Sequence, residues 1–448
     1  MIPGSLRRSL AATLATFTLL LTACASDEIE VDDSGNPTDP DAPNPIFPGV
    51  LTRGCDWALI YDPSRPGGNS AFPDQGARYW IAVVAGAIPQ GSRLRMEGQY
   101  PDARYHSLQL YNGNLASLDS LSDYQIVPDP GSDNTFLDQT RRSGADYGGD
   151  YTAYVRIGTN APAEREQNTM YRPPVITGGH VVRRTVIAYR TYLPEGGNQG
   201  RVELPELTIE TADGELSITN EEDADVCAQI AANLRQDGAR LTGSANLLDP
   251  TPPSPLPEFK RFDGAAGTGA GGQGVGFNRD NGFMYAKTQV LYAPILLVRG
   301  RAPSYTTQAG AGNPPQVRYW SVCDAGFNTQ MVYDCRSDQA TALDDAGYYT
   351  VVVTADQSRP SILDSASGYS WLQRGPENVG VITMRELLAH PTFAQATVNV
   401  TTLNPAPLVK GEYMPLATYC STAVFEGVAD QGPAAAFAAC DASRRALQ

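Results

Sequence analysis

The strongest constraint on the fold is an order of short motifs that occurs twice in the chain. Arg104-Tyr105-His106-Ser107-Leu108 is matched by Arg318-Tyr319-Trp320-Ser321-Val322, and each follows an apolar run closed by Gly-X-X-Pro, at Gly98 to Pro101 and Gly300 to Pro303. Gly149-Asp150-Tyr151-Thr152 then answers to Gly347-Tyr348-Tyr349-Thr350, and Val186 to Leu193 around Arg190 answers to Val381 to Leu388 around Arg385. A shared order of this kind predicts an internal duplication. The landmarks are strand-like. Ser107 to Tyr111 alternates, Tyr349 to Thr354 is β-branched, and Leu204 to Thr211 alternates before a turn at Asp213-Gly214. Val290 to Val298 is apolar on both faces and reads as a core strand interrupted at Pro294. Helical signal is confined to short pieces such as Asp223 to Gln236, with Met384 to Leu388 ambiguous between strand and helix. The predicted class is all-β with minor helix, as two related β-sandwich or jelly-roll-like domains.

The N-terminus supplies a location. Arg7-Arg8, an apolar run from Leu10 to Leu21, and Leu21-Thr22-Ala23-Cys24 follow the order of a secretory leader with a small-residue cleavage site. The ending at Cys24 resembles a bacterial lipoprotein signal, which implies cleavage before Cys24, lipidation of its thiol and membrane anchoring. Ala25 rather than Asp after that cysteine resembles an outer-membrane sorting signal, for a source with two membranes. Losing residues 1–23 removes Arg7, Arg8 and no acid, so the formal charge moves from −16 to −18. That charge argues against nucleic acid as a partner. Residues 24–50, acidic and Pro-rich without Lys or Arg, read as an extended tether.

Six further cysteines, Cys55, Cys227, Cys323, Cys335, Cys420 and Cys440, form an even set suited to disulfides in an oxidising compartment. Fifteen pairings are open to six cysteines. Short loops favour Cys323 with Cys335 and Cys420 with Cys440, leaving Cys55 for Cys227. With no two-residue-spaced cysteine pair and only 3 histidines, a metal or redox centre is disfavoured. Pro250 to Pro257 and the Gly-rich Gly264 to Gly276 mark residues 247–282 as a linker between a first domain, 51–246, and a second, 283–448.

The Arg-Tyr-X-Ser-Leu strand with Tyr111-Asn112, the Tyr124-X-Ile126 element, the Tyr151-Thr152 strand and Tyr189-Arg190-X-Tyr192-Leu193-Pro194 together resemble the bacterial domain-of-unknown-function family 1214. The resemblance covers residues 90–195, and more faintly 295–390. It implies a jelly-roll sandwich of exported proteins without an established activity or functional residues to carry over. Trp371-Leu372 continues with Gln373 where the family pattern has Pro, and Met170-Tyr171 stands where a Trp is expected.

No catalytic signature stands out. Gly267 to Gly272 fits a dinucleotide glycine pattern, but no strand precedes it and no helix follows, so no cofactor is predicted. Neither His106, His180 nor His390 accompanies a Gly-X-Ser-X-Gly elbow. Asp102 reads as a turn acid or a partner for Arg104, and His106 as a packing residue in the place of Trp320. The candidate ligand-binding residues are Asp102, Arg104, His106, Arg318 and Trp320. Arg104, Arg318, Arg190 and Arg385 read first as structural. The expected function is a non-enzymatic envelope lipoprotein that binds a carbohydrate or an envelope protein. The alternatives are an envelope hydrolase acting on carbohydrate or ester, and a structural subunit of an envelope assembly.

Overall fold

The computed structural model describes residues 53–446 apart from 64–71, 86–90, 113–114, 138–146, 175, 178–179, 182–183, 213, 218–247, 249–250, 263–277, 309–313, 366–367 and 402. The expected leader, Cys24, the tether, Cys227, the helix at 223–236 and the glycine run at 264–276 therefore lie outside the described residues. The first half contributes β1 (Arg53–Tyr61), β2 (Ala77–Ala85), β3 (Arg93–Gln99), β4 (Tyr105–Asn112), β5 (Ser117–Ser122), β6 (Asp150–Ile157) and β7 (Thr169–Arg172). A two-strand ribbon, β8 (Ile176–Thr177) and β9 (His180–Val181), leads to β10 (Arg184–Tyr192), β11 (Glu206–Thr211) and β12 (Gly214–Ser217). The second half runs β13 (Lys260–Arg261), β14 (Asn281–Gln289), β15 (Ile295–Arg301), β16 (Tyr319–Gly326) and β17 (Val332–Ser337). It continues with β18 (Tyr348–Thr354), β19 (Ser370–Gln373), β20 (Val379–Leu387) and β21 (Leu416–Cys420). Three short helices close the chain, α1 (Ala406–Lys410), α2 (Thr422–Glu426) and α3 (Pro433–Arg445).

These strands build two sandwiches with matching sheets. The order β1-β2-β10-β4-β5 in the first half is repeated as β13-β14-β20-β16-β17 in the second. The facing sheets run β12-β11-β3-β6-β7 and β19-β18-β15-β21. Even the exceptional pairings recur, since β6 with β7 and β18 with β19 are both parallel in otherwise antiparallel sheets. Registers agree residue for residue: Arg190 lies opposite Ser107 as Arg385 lies opposite Ser321. Gly98 opposes Tyr151 as Gly300 opposes Tyr349. The two glycines are required by that contact, because a Cβ at Gly98 would sit 2.8 Å from the Tyr151 hydroxyl and one at Gly300 2.6 Å from that of Tyr349. Leu193 and Leu388 share a left-handed backbone at φ 47° just past β10 and β20. Strain repeated at one position is a structural signature of duplication.

Each sandwich has its own core between its sheets. Leu94, Met96, Leu108, Leu110, Val155 and Ile187 fill the first, and Leu296, Val298, Val322, Val351, Ile382 and Met384 the second. A further cluster joins Tyr105 and Tyr192 of the first half to Tyr319 and Leu387 of the second, and the halves belong to one compact unit, Leu51–Gln448. That contact explains a departure from the sequence pattern. The alternation of Ser107 to Tyr111 predicts one wet face, yet β4 is buried on both, as is β16. The face opposite the core is covered by the other sandwich.

Other differences are local. Val290 to Val298 is not one strand: β14 ends at Gln289, the chain turns with Tyr292 N–H donating to Gln289 O, and β15 starts after Pro294. Proline opens the new strand because it has no N–H to give a ladder. Met384 to Leu387 belongs to β20. The stretch 247–282 is not connection throughout, since Phe259 is buried and Lys260–Arg261 pairs with Met284 and Tyr285 at the edge of β14. Cys323–Cys335 ties β16 to β17, and Cys420–Cys440 ties β21 to α3.

Candidate functional site

The charged residues singled out from the sequence converge on the junction between the sandwiches. Arg104 immediately precedes β4 and Arg318 immediately precedes β16, so the duplication places them alike. Arg104 Nη1 donates to both carboxylate oxygens of Asp338 at 3.0 Å, and its Nη2 donates to Gln339 Oε1 at 2.7 Å. Arg318 Nη1 donates to Asp123 Oδ2 at 3.0 Å and to the Arg104 carbonyl at 3.3 Å. Each arginine thus reaches into the opposite sandwich. The two aspartates are equivalent as well, each opening a 3-10 turn after β5 or β17. Asp123 Oδ2 accepts from His106 N at 3.0 Å, and Asp338 Oδ2 from Trp320 N at 3.1 Å. One carboxylate therefore clamps its own strand and the other sandwich's arginine.

These ions are almost wholly out of water: Arg318 is 1% exposed, Asp123 0%, Asp338 2% and Arg104 7%. Burial pushes the Asp338 carboxyl up to about 6, against the pull of Arg104 and the backbone N–H groups of Trp320 and Gln339. Ions so placed are tolerable only as pairs, and removing one partner strands the other.

A second exchange flanks the first. Asp74 of the first half accepts from the Tyr319 hydroxyl at 2.9 Å and the Ser321 hydroxyl at 2.5 Å, with Arg385 Nη1 at 3.5 Å. Its counterpart Asn278 meets Tyr105, the equivalent of Tyr319, through Nδ2 at 3.1 Å, and accepts from Gln109 Nε2 at 2.8 Å. Asp74 Oδ1 accepts from Gly76 N at 2.7 Å, as Asn278 Oδ1 does from Asp280 N at 2.9 Å. Asp280 also accepts from the Tyr105 and Ser122 hydroxyls, at 2.7 and 2.6 Å, and burial raises its carboxyl above the usual range. Burial likewise holds the Tyr105 and Tyr319 phenols well above their ordinary value, so both remain donors.

Of the five candidate ligand-binding residues, only Arg104 and Arg318 meet across the junction, and all five are buried. Asp102 pairs with Arg201 at 2.9 Å, not with Arg104. His106 turns into its own core, with Nε2 3.2 Å from the Tyr151 hydroxyl and the ring 4.8 Å from that of Tyr189. Trp320 occupies the same place in the second core, 5.4 Å from Tyr349. At 7% exposure or less, these five side chains present little outward surface. His180 lies in β9, and His390 Nδ1 lies 2.8 Å from the Thr392 hydroxyl in a turn. Arg385 meets Asp74 and packs 4.8 Å from the Phe283 ring, while Arg190 lies over the rings of Tyr79 and Tyr111.

Sequence reasoning passed over the acceptors Asp74, Asp123, Asn278, Asp280 and Asp338. A signal existed for two of them, because the dipeptide Ser-Asp recurs as Ser122-Asp123 and Ser337-Asp338 after matched strands. It also passed over Glu386 and Lys410, a fully buried ion pair beneath the second sandwich in which Glu386 Oε2 additionally accepts from Thr397 N at 2.7 Å. Among the described residues, Asp74, Cys323 and Cys335 are the one group close enough to hold a metal. The two sulfurs are bonded to each other and offer no thiolate.

No family model matches the chain, and no curated protein does. Similar solved structures include an uncharacterised protein from Burkholderia cenocepacia, 14% identical over 82% of this chain and 82% of that one, with a TM-score of 0.47. The VPA0106 protein from Vibrio parahaemolyticus is 12% identical over 79% of this chain and 92% of that one, with a TM-score of 0.34.

Proposed function

We propose that this is an extracytoplasmic protein anchored through lipid on Cys24, whose joined sandwiches bind a ligand or an envelope partner without chemistry of their own. The junction carries this reading. Arg104, Arg318, Asp123, Asp338 and Asp74, the charged groups that a reaction would draw on, are spent on holding one sandwich to the other. Such a body suits binding, since interfaces gain most from surfaces that are already ordered. The leader-like N-terminus and the paired cysteines support an oxidising, extracytoplasmic address. A tether of net negative charge would hold the body away from anionic headgroups.

Two experiments test it. Cys24→Ser should yield unprocessed or soluble chain in place of a membrane-bound, lipid-labelled one, and unchanged fractionation with unchanged labelling would refute the anchor. Purified protein should turn over nothing in a broad panel of ester and glycoside substrates. Turnover abolished by one side-chain replacement, with the melting temperature preserved, would make it an enzyme instead.

A further inference from the structure

Only three of the 33 cationic residues in the chain are lysines, and of these neither Lys260 nor Lys287 is buried. The third, Lys410, is 0% exposed, and its Nζ donates to Oε1 of Glu386, also 0% exposed. The buried pairs of the junction, Arg104–Asp338, Arg318–Asp123 and Arg385–Asp74, are made with guanidinium groups, which keep their charge in any surroundings. An ammonium can give up a proton, and the amine left behind is a nucleophile.

The lysine comes with a segment that sets the second sandwich apart. Glu386 stands where Thr191 stands in the first half. Residues 388–415 join β20 to β21, a longer path than residues 193–205 between β10 and β11, and they add no strand among the described residues. Lys410 ends α1 in this connection and reaches back to β20. The surroundings are apolar, with Phe393, Ala396, Val400, Ala406 and Tyr413 of the same connection buried in the second core. Thr397 completes the site: its N–H donates to Glu386 Oε2 at 2.7 Å, and its Oγ1 accepts from Lys410 Nζ at 3.2 Å. Gly282, opposite Glu386 on β14, makes room for that turn, because a Cβ there would sit 2.8 Å from Thr397 Cβ.

We infer that Lys410 and Glu386 condense into an amide, a covalent tie between α1 and β20. One proton passing from the ammonium to the carboxylate turns the pair into an amine and an acid, a transfer eased where neither charge is solvated. The Nζ lone pair attacks Glu386 Cδ and the C–N bond forms. The C–Oε1 bond breaks, and Oε1 leaves as water with the acid proton and one proton from Nζ. Oε2 remains as the amide oxygen, where the Thr397 N–H meets the negative charge that builds during attack. Thr397 Oγ1 holds the amine against the carboxyl group. Reactants fixed in this way reach effective concentrations of about 10⁵–10⁸ M, and a site closed to bulk water protects the amide from hydrolysis. The bond closes a loop of sequence separation 24 in a segment that has no strand ladder to hold it. The step acts on the chain itself, so it is separate from turnover of a substrate, from partner binding and from the anchor.

The test takes the full chain carrying Cys24→Ser, reduced and denatured, and measures its intact mass and its tryptic peptides by mass spectrometry. The intact mass should fall short of the sequence by one water. Cleavage after Lys410 should be lost, because trypsin does not cut after an acylated lysine, and fragmentation should place Glu386 and Lys410 in one closed loop. Lys410→Arg keeps a positive charge opposite Glu386 but carries no amine, so it should restore both the full mass and cleavage after position 410. A chain of full mass that trypsin cuts after Lys410 would overturn the inference. So would a missing water that persists in Lys410→Arg. The first of these readouts needs no substitution at the pair, so it stands whether or not the variant folds.

Discussion

The two sandwiches share sheet order and register, yet they differ in what they do with equivalent positions. Where they agree, the matched residues each face the other half: Arg104 and Arg318, Asp123 and Asp338, Tyr105 and Tyr319. Differences fall mainly on residues that face their own half: His106 becomes Trp320, Leu110 becomes Asp324, Thr191 becomes Glu386, and Trp57 becomes Phe259. At the junction itself Asp74 is matched by Asn278, and Gln109, which bonds Asn278, is matched by the bridged Cys323. A joint made from two copies of one surface is self-complementary, so each copy restrains the other. Cores and flanks carry no such restraint and have drifted apart.

The largest expected effect falls on the shared part. Arg318→Ala should lower stability by about 3–5 kcal/mol in urea unfolding, because Asp123 is left without its buried counter-ion, and Arg104→Ala should cost a similar amount through Asp338. A large loss at one site and none at the other would break the equivalence. Next come the features found only in the second half. Replacing Cys323 and Cys335 together by Ser opens a loop of sequence separation 12 and should cost about 2–4 kcal/mol. A negligible change in the urea midpoint would mean that the strands β16 and β17 hold that hairpin unaided.

A smaller effect of opposite sign is expected at Asp324, where the first half has Leu110. Burial pushes its carboxyl up to about 7, opposed by the N–H of Gly375. The folded chain therefore holds this proton more tightly than the unfolded chain does. The group's contribution to stability is full at pH below the ordinary carboxylate value and is lost as pH rises through about 7. Asp324→Asn should raise stability by about 1–3 kcal/mol at pH 8 and change little at pH 4. Destabilisation at pH 8 would show that the charge is needed. The smallest effect sharpens the comparison of flanks: Trp57, matched by Phe259, donates its indole N–H to the Pro205 carbonyl at 2.6 Å, and Trp57→Phe should cost about 1 kcal/mol through the loss of that bond.

The sequence revealed what repeats and concealed what meets. Gly98 with Tyr151 and Gly300 with Tyr349 were legible because the same short words recur in order, and the short cysteine loops pointed to the two described disulfides. The junction was not legible, because a strand covered by a second sandwich and a strand facing water can carry the same alternation. Ser107 to Tyr111 is the example, buried throughout. Buried arginines have no local pattern that distinguishes them from solvated ones, and Arg104 and Arg318 find acceptors 234 and 195 residues away.

The central claim is that the exchanged Arg–Asp pairs make the two sandwiches one body. It is tested most directly by placing a protease site within residues 238–246, ahead of Leu248, Phe259 and β13 so that all of the second sandwich stays on one product, cutting the chain and following the halves by size exclusion. Both described disulfides lie within the second half, so no described covalent bond would join the products. The cut halves should travel together with the salt-bridged junction intact, and separate when Arg104→Ala and Arg318→Ala are combined. Halves that part without those substitutions would contradict the account.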